Sequence, residues 1–383
     1  MSGLVLSNIS AFVLCVMLIV ILRRVSIAFA LVDRPDARKR HEGTIPLCGG
    51  IAVFSAFAFV SAMSGQISGF GLNYWIGTAM IVAIGIADDR YHLSAKMRFL
   101  VEVAIAVLLL AALNVSNLVD SICPPGLPFA PLVALGVGLF FVVGLVNSWN
   151  MLDGVDGLAG GSAALAFIWL MLVAAHADTI GVITSLEILL VTLCGFLIFN
   201  MRSPWRARAG IFLGDAGSTA LGVTIAYVIL ALAAGKPGIP FAALLWIVIV
   251  PVLDTLSLMA RRLLAARSPM SADRWHLHHL LMDNGLSPAI TTAVIIAVSA
   301  VCGGIGYLGI LFQAPSALMA FGLIVPASLH TAFVVGAQTQ HPALRRLMER
   351  RSPPAVQEAP VVITASERDF GKKLVRDKTS IEI

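Results

Sequence analysis

Long runs of apolar residues dominate the chain and alternate with short polar stretches. The runs are about 17 to 23 residues long, the length that an α-helix needs to cross the hydrocarbon core of a bilayer. They lack the period-two alternation of strands in a membrane β-barrel. We therefore expect an all-α polytopic membrane protein with about eleven transmembrane helices. The predicted spans cover residues 3–22, 46–63, 71–87, 98–113, 128–147, 159–175, 182–200, 211–233, 239–260, 288–310 and 315–337.

The pattern changes after the last predicted span. Residues 1–340 form one predicted membrane domain, and residues 341–383 are polar, with three prolines and charges of both signs. A segment with so few apolar residues cannot bury a core. We predict a flexible cytoplasmic tail there.

The composition supports the membrane assignment. The chain is 58% hydrophobic and only 12% charged, and a soluble domain carries about twice that charged fraction. A water-facing globule cannot hide so much apolar surface, so the bilayer must act as solvent. Five scattered cysteines without a CxxC pair indicate neither a disulfide framework nor a zinc site.

The positive charges predict the orientation of the chain. If the N-terminus faces outside, the predicted spans place all but one of the 26 Lys and Arg residues on the inner side, the exception being Lys236. Cytoplasmic loops carry this excess in membrane proteins. We predict an outer N-terminus and a cytoplasmic C-terminus. The net charge of +5 is then a topology signal that does not indicate nucleic acid, although it also suits anionic lipids and phosphorylated substrates.

Two adjacent carboxylates, Asp88 and Asp89, end the third predicted helix in GIADDRYHLSAKMR. They repel each other and lie at the negative end of the helix dipole. A solvated helix end beside Arg90 is the structural explanation. We favour a metal or phosphate site whose cation offsets the repulsion. Lys96 and Arg98 add positive charge suited to a phosphate group.

A second motif, NSWNMLDGVDGLAGG, spaces four polar side chains three residues apart. Residues at this spacing share one face of a helix or of a loosened turn. Their oxygen atoms suit a hard cation and the hydroxyl and imide groups of a nucleotide, whereas simple capping of the sixth span is the alternative. The four residues are Asn147, Asn150, Asp153 and Asp156.

Two further acidic residues fall inside predicted spans. Asp215, in FLGDAGS, begins an apolar helix, and burying it without compensation costs several kcal/mol. A magnesium ion would compensate the charge. Asp254, in VPVLDTLS, is a candidate functional residue for the same reason, but a pairing or packing role is at least as plausible there.

A cluster of donors, DRWHLHH, follows the ninth predicted span. The other polar motifs offer only oxygen ligands and no cysteine accompanies the histidines, which argues against zinc. The cluster better suits phosphate and sugar hydroxyls, and a plain surface cluster is the alternative. Its members are Arg274, His276, His278 and His279. The segment joining the first two spans, DRPDARKRHEGTIPLCGG, combines turn formers and bases and is a further candidate binding loop.

With these motifs in order, the sequence resembles the polyprenyl-phosphate N-acetylhexosamine-1-phosphate transferases of glycosyltransferase family 4. The HLHH form resembles the bacterial branch that uses UDP-GlcNAc and starts the lipid carriers of O-antigen and enterobacterial common antigen. The matching segments are RPDARKRHEGTIPLCGGIA, GIADDRYHLSAKMR, NSWNMLDGVDGLAGG, FLGDAGS and ADRWHLHHLL, over roughly residues 30–285.

The resemblance implies an activity and its cofactor. GlcNAc-1-phosphate would pass from UDP-GlcNAc to undecaprenyl phosphate with release of UMP, at the cytoplasmic face of a bacterial inner membrane and as the first membrane step of lipopolysaccharide O-antigen synthesis. Mg²⁺ is the expected cofactor, with Mn²⁺ left open. The lipid bilayer is the expected surroundings, and the oligomeric state stays open, a homodimer included.

The resemblance also implies a role for each motif. Asp215 and Asn150 would bind the metal. The catalytic residues would be Asp88 and Asp89, facing the lipid phosphate, together with Asp153 and Asp156 beside the nucleotide. The substrates would contact Asn147, Lys96, Arg98, Arg274, His276, His278 and His279.

Three other functions compete with this interpretation. A sister enzyme would use UDP-FucNAc or UDP-MurNAc-pentapeptide. A transporter would place its site near the bilayer midplane between structural repeats, whereas these carboxylates crowd one side. A CDP-alcohol phosphotransferase shares a DGxxDG-like motif, but its Ala-Arg pair and its later aspartates are missing here.

Overall fold

The computed structural model describes residues 2–33, 43–203, 205–235, 239–264, 266 and 275–351, with the side chains of residues 2 and 338–351 excepted. Three parts of the sequence predictions lie outside these residues: the basic stretch 34–42, Arg274, and the tail from residue 352 onwards.

Helices make up most of the described chain. They are α1 (Ser2–Ala28), α2 (Gly49–Met63), α3 (Leu72–Tyr91), α4 (Ala95–Leu110), α5 (Val115–Ile122), α6 (Ala130–Leu152), α7 (Leu158–His176), α8 (Ile180–Asn200), α9 (Gly214–Gly235), α10 (Phe241–Leu245), α11 (Ile249–Leu264), α12 (Leu277–Asp283), α13 (Pro288–Leu311), α14 (Ser316–Gly322) and α15 (Ile324–Arg351). A short 3₁₀ turn covers Gln66–Gly69, and two strands, β1 (Val32–Asp33) and β2 (Ile45–Pro46), pair antiparallel.

The all-α membrane fold is confirmed. Among the described residues, seven helical stretches are long and apolar enough to cross a bilayer. An eighth forms if α4 and α5, which meet at a bend of 105°, count as one span. Helix α2 has 15 residues, fewer than the roughly 20 that a straight span needs. The predicted ninth span is divided into α10 and α11. The count of about eleven and the orientation of the termini stay predictions.

The chain separates into two compact units. The first covers residues 1–334, and the second covers residues 335–383, of which the structure describes the end of α15. The domain boundary predicted at residue 340 lies within that helix.

Helix α9 lies at the centre of the first unit, and nearly all of its side chains are buried. Small residues let the neighbouring helices approach its backbone. A Cβ atom on Gly50 of α2 would collide with Gly217, and one on Gly85 of α3 would collide with Ala216. Close approach through small residues is a common way to pack helices within a bilayer. The end of α3 therefore lies directly beside the start of α9.

Backbone hydrogen bonds fix the segment that leads into α9. Phe212 donates its N–H to the carbonyl of Pro46 (2.9 Å), and Gly49 and Gly50 donate to the carbonyls of Phe212 (3.0 Å) and Leu213 (2.8 Å). The sequence motifs PLCGG and FLGD are thus joined. The first turn of α9 is held from α2 as well as from α3.

Candidate active site

Asp88 and Arg98 face each other across the turn that joins α3 to α4. His92 follows the last residue of α3 as its C-cap, in the left-handed region at φ 53°, and Ser94 caps α4 by accepting the N–H of Met97. This reversal brings Arg98 back over the end of α3. Its Nη1 lies 2.7 Å from Oδ2 of Asp88, whose side chain is 7% exposed. The other oxygen of Asp88 accepts the N–H of Leu93 at 2.7 Å.

The same guanidinium group also faces α9. Nη1 of Arg98 lies 3.7 Å from Oδ2 of Asp215. One positive charge therefore lies between two carboxylates, and the three groups together carry one net negative charge when both acids are ionised. A site of this charge attracts a cation more readily than a second anion.

Asp89 has a different partner from its neighbour. Its Oδ1 accepts the backbone N–H of Asp215 (3.0 Å), and its Oδ2 accepts that of Ala216 (3.4 Å). A carboxylate at a helix N-terminus satisfies free N–H groups and the positive end of the dipole. Gly214 permits this contact, because it has φ +74° and a Cβ there would lie 2.6 Å from Oδ2 of Asp89.

Contacts inside the protein thus act against the repulsion between Asp88 and Asp89, although burial still raises the pKa of Asp89 to about 8. Arg98 compensates one carboxylate, and the N-terminus of α9 compensates the other. Asp89 acts on Asp215 by holding the turn that carries it. The catalytic role predicted for Asp89 remains a prediction, but the geometry gives it a positioning contact.

The two asparagines lie on one face of α6, as their spacing predicts. Nδ2 of Asn150 donates to Oδ1 of Asp215 (2.8 Å) and to Oγ of Ser218 (3.1 Å). Nδ2 of Asn147 donates to Oε2 of Glu102 (2.6 Å) and to the carbonyl of Val143 (2.9 Å). Both amino hydrogens are used in each case, which leaves the amide Oδ1 atoms as the remaining acceptors.

A cleft brings most of these groups together. It has polar side chains from four helices on a partly apolar wall. Its lining residues are Ile81, Ile84, Gly85, Asp88, Arg98, Glu102, Asn147, Asn150, Asp215 and Thr219. The motif analysis missed Glu102, although a buried acid in the apolar helix α4 was a signal that could have found it.

The two aspartates of the same motif lie beyond the end of α6, and they do not continue its face. Asp153 follows Leu152 as the C-cap residue, and burial, followed by the charges of Asp215 and Asp156, raises its pKa to about 7. Asp156 accepts Nε–H of Arg202 (2.8 Å) and the N–H of Ala209 (3.2 Å). Asp156 therefore ties this turn to the segment between α8 and α9.

A buried asparagine that the motifs did not include supports the same turn. Oδ1 of Asn200 accepts the N–H of Gly157 (2.8 Å), and its Nδ2 donates to the carbonyl of Ile211 (3.0 Å). Its signal in the sequence is a polar residue at the end of the apolar helix α8. Asn200 links the NMLDGVDG turn to the segment that leads into α9.

The histidines form a compact cluster at the start of α12. The ring centroids of His276 and His278 are 5.4 Å apart, and those of His278 and His279 are 4.3 Å apart. A Cβ on Gly154 would lie 2.5 Å from Nε2 of His278, so the cluster packs against the turn after α6.

Lys96 is exposed in the first turn of α4.

The donor atoms suit a hard cation that also binds substrate. Across the described ranges, no group of three His, Cys, Asp or Glu side chains could hold a metal ion by itself. Mg²⁺ does not require one, since it is usually bound by one or two carboxylates together with waters and substrate phosphates. The adjacent Asp215 and Asn150 offer that kind of incomplete, all-oxygen site. The residues fit the expected cofactor, whose presence stays a prediction.

Comparison with known proteins places these residues in a family. The sequence model of glycosyl transferase family 4 matches residues 72–233, the segment from α3 to α9 that carries every cleft residue. The chain is 34% identical over 301 residues to the undecaprenyl-phosphate alpha-N-acetylglucosaminyl 1-phosphate transferase of Salmonella typhi, covering 78% of this chain and 82% of that protein.

Proteins of the same name from two other bacteria are similarly close. The Yersinia pestis protein is 35% identical over 75% of this chain and 79% of its own length. The Escherichia coli K12 protein is 32% identical over 78% and 82%. Similarity at this level over most of both chains, with the cleft inside the matched segment, shows that this multi-pass membrane protein belongs to glycosyl transferase family 4.

Proposed function

We propose that this protein transfers GlcNAc-1-phosphate from UDP-GlcNAc to undecaprenyl phosphate and releases UMP. The observation that carries the proposal is the cleft in which Arg98 lies between Asp88 and Asp215 beside the amide of Asn150. The names of the relatives give the reaction. The cleft supplies the charge and the oxygen ligands that a reaction between two phosphates requires.

The bond changes are those of a phosphoryl transfer. A phosphate oxygen of the lipid forms a bond to the β-phosphorus of UDP-GlcNAc, and the bond from that phosphorus to the bridging oxygen breaks, so that UMP leaves. The second pKa of a phosphate monoester is about 6, so the lipid phosphate is largely dianionic at neutral pH. It needs positioning and charge neutralisation more than it needs a strong base.

Arg98 has the position for that neutralisation. Its ion pair with Asp88 holds the guanidinium beside the first turn of α9, where it can contact a phosphate oxygen of either substrate. Because Asp88 is already engaged by Arg98 and by the N–H of Leu93, we favour direct attack by the lipid phosphate over an aspartyl-phosphate intermediate. A phospho-sugar adduct trapped on Asp88 in the absence of lipid acceptor would refute that preference.

Asp215 and Asn150 would hold Mg²⁺, and Mn²⁺ is a substitute that the same oxygen ligands would accept. When bound there, the ion would supply Lewis-acid stabilisation of the charge on the leaving group. The chain's own part is to keep the two ligands adjacent: Asp89 holds the turn of Asp215, and Ser218 holds the amide of Asn150.

We also propose that the site faces the cytoplasm of a bacterial inner membrane. The positive-inside distribution supports this orientation, with the N-terminus periplasmic and the C-terminus cytoplasmic. Synthesis of O-antigen and lipopolysaccharide is the proposed context.

The test is transfer of labelled sugar into lipid. Membranes that contain the protein are incubated with UDP-[¹⁴C]GlcNAc, undecaprenyl phosphate and Mg²⁺, and acid-labile label is measured in the lipid fraction. We expect product from the wild type and from Asp120→Asn, an exposed carboxylate in α5, and none from Asp215→Asn. Product only with UDP-FucNAc or UDP-MurNAc-pentapeptide would indicate a sister enzyme. No turnover of any UDP-sugar would refute the proposal, and a transporter would then become the next hypothesis to test.

A further inference from the structure

A buried carboxylate outside the cleft joins three parts of the chain. Asp254 lies in the apolar helix α11 and is 4% exposed. Its Oδ1 accepts the N–H of Leu277 at 2.8 Å, and its Oδ2 lies 3.1 Å from Nδ1 of His276. Nε2 of His330, from α15, lies 3.7 Å from Oδ1.

The charge on this carboxylate has to be compensated where it lies. A carboxylate removed from water is unfavourable unless it is paired and hydrogen-bonded. Two imidazoles from separate elements face it, and a backbone N–H completes the arrangement. Oδ2 of Asp254 is therefore paired with Nδ1 of His276, and Oδ1 is paired with the N–H of Leu277 and lies near Nε2 of His330.

The contact also fixes the ring of His276. With Asp254 accepting from Nδ1–H, the Nε2 atom is the one left to face a ligand. The ring is stacked on His278 at an interplanar angle of 8°. His278, 1% exposed, packs against Gly154 beside Asp153. The imidazoles thus form a continuous path from Asp254 to the turn that follows α6.

We propose that Asp254 is a positioning residue for the transfer reaction. It holds the ring of His276 with Nδ1 towards α11, so that Nε2 faces the diphosphate of the nucleotide sugar. His330 assists by sharing the charge of Asp254. The inference rests on the proposed function, because it assigns the diphosphate as the ligand of His276.

Two substitutions separate this role from a purely structural one. Asp254→Asn keeps the shape and can still accept from Leu277, but its amide nitrogen then faces Nδ1 of His276, so the carboxylate oxygen that held this ring nitrogen is replaced by a donor. Asp254→Glu keeps the charge and changes the reach. If the carboxylate that holds the ring of His276 matters, the Glu variant retains more activity than the Asn variant. If only packing matters, the order is reversed.

The experiment measures steady-state kinetics and thermal unfolding of the purified full-length chain in detergent. We expect Asp254→Asn to lower kcat/KM for UDP-GlcNAc by about ten- to a hundredfold, the scale of one hydrogen bond to a charged group. The KM for undecaprenyl phosphate should change much less. Asp120→Asn is the matched control and should show wild-type kinetics.

A double-variant cycle tests whether Asp254 acts through His276. In a His276→Asn background, Asp254→Asn should cause no further loss of kcat/KM. A loss that persists there would overturn the proposal, as would an Asp254→Asn variant with full kcat/KM and only a lower Tm.

Two controls keep the result interpretable. If Asp254→Asn does not fold, the Asp254→Glu and His276→Asn variants test the proposal instead. Activity that is kept in Asp254→Glu and lost in His276→Asn supports it. Full kcat/KM in His276→Asn overturns it. The wild type reports separately on the proposed function, since an inactive wild type contradicts the reaction itself and not the arrangement around Asp254.

Discussion

Replacing Asp89 tests whether this carboxylate caps α9 or takes part directly in the reaction. Asp89 accepts two backbone N–H groups, from Asp215 at 3.0 Å and from Ala216 at 3.4 Å. Loss of a capping side chain costs about 0.5–2 kcal/mol. A partly buried charge at a helix terminus contributes up to about 2 kcal/mol more. We therefore expect Asp89→Ala to lower the free energy of unfolding by roughly 0.5–4 kcal/mol.

The same substitution should also reduce turnover, because the turn that it frees carries Asp215. A displacement of about 1 Å in a reacting group can cost a hundredfold in rate. Asp89→Asn keeps one acceptor for the N–H of Asp215 and should lie between Asp89→Ala and the wild type in both measurements. Gly214→Ala should resemble Asp89→Ala, because the new Cβ would lie 2.6 Å from Oδ2 of Asp89 at φ +74°.

The assay pairs thermal unfolding in detergent with transferase kinetics, and Asp120→Asn serves as the control for removing a carboxylate. Stability and activity should fall together across the three variants. An Asp89→Asn protein that unfolds at the wild-type Tm yet has no activity would refute the capping argument and favour a direct role. Wild-type values for both would refute it as well.

Three other predictions follow from the site. Arg98→Lys should retain part of kcat and Arg98→Gln almost none, because Lys keeps the charge but loses the planar guanidinium whose Nη1 lies near both Asp88 and Asp215. Kinetics with both substrates checks this, and equal activity of the two variants would contradict it. Chelation with EDTA should abolish transfer, and added Mg²⁺ should restore it in the wild type but not in Asp215→Asn; activity that resists chelation would exclude the metal role. Burial raises the pKa of Asp153 to about 7, so the folded protein holds a proton there that the unfolded chain releases. The contribution of Asp153 to the free energy of unfolding therefore falls as the pH rises from 3.8 towards 7. The gain in Tm of Asp153→Asn over the ligand-free wild type should be larger at pH 8 than at pH 5, and a pH-independent difference would argue against that pKa.

The sequence predicted the membrane class and five of the ten residues that line the cleft, because both depend on local patterns. Apolar length alone indicates membrane helices, and the spacing of Asn147 and Asn150 places them on one face of α6. For the isolated Asp254, the sequence left two roles open, a functional one and a pairing or packing one. The structure shows a paired carboxylate, and His276 is its partner.

Other features depend on contacts between distant parts of the chain. Asp88 and Asp89 have different partners because glycines let α3 touch the backbone of α9, and no local pattern encodes that approach. Glu102 joins the site only through the packing of α4 on α6. The 105° bend between α4 and α5 and the break between α10 and α11 likewise follow from tertiary packing.

The most direct test of the account follows the β-phosphorus of the sugar donor. Purified protein is given UDP-GlcNAc labelled with ³²P at the β-position, together with undecaprenyl phosphate and Mg²⁺. If GlcNAc-1-phosphate is transferred, the label enters the lipid, and unlabelled UMP is released in equal amount. If the sugar enters the lipid while the label remains in UDP, the reaction is simple glycosyl transfer. If neither the sugar nor the label enters the lipid, the transferase function itself is contradicted.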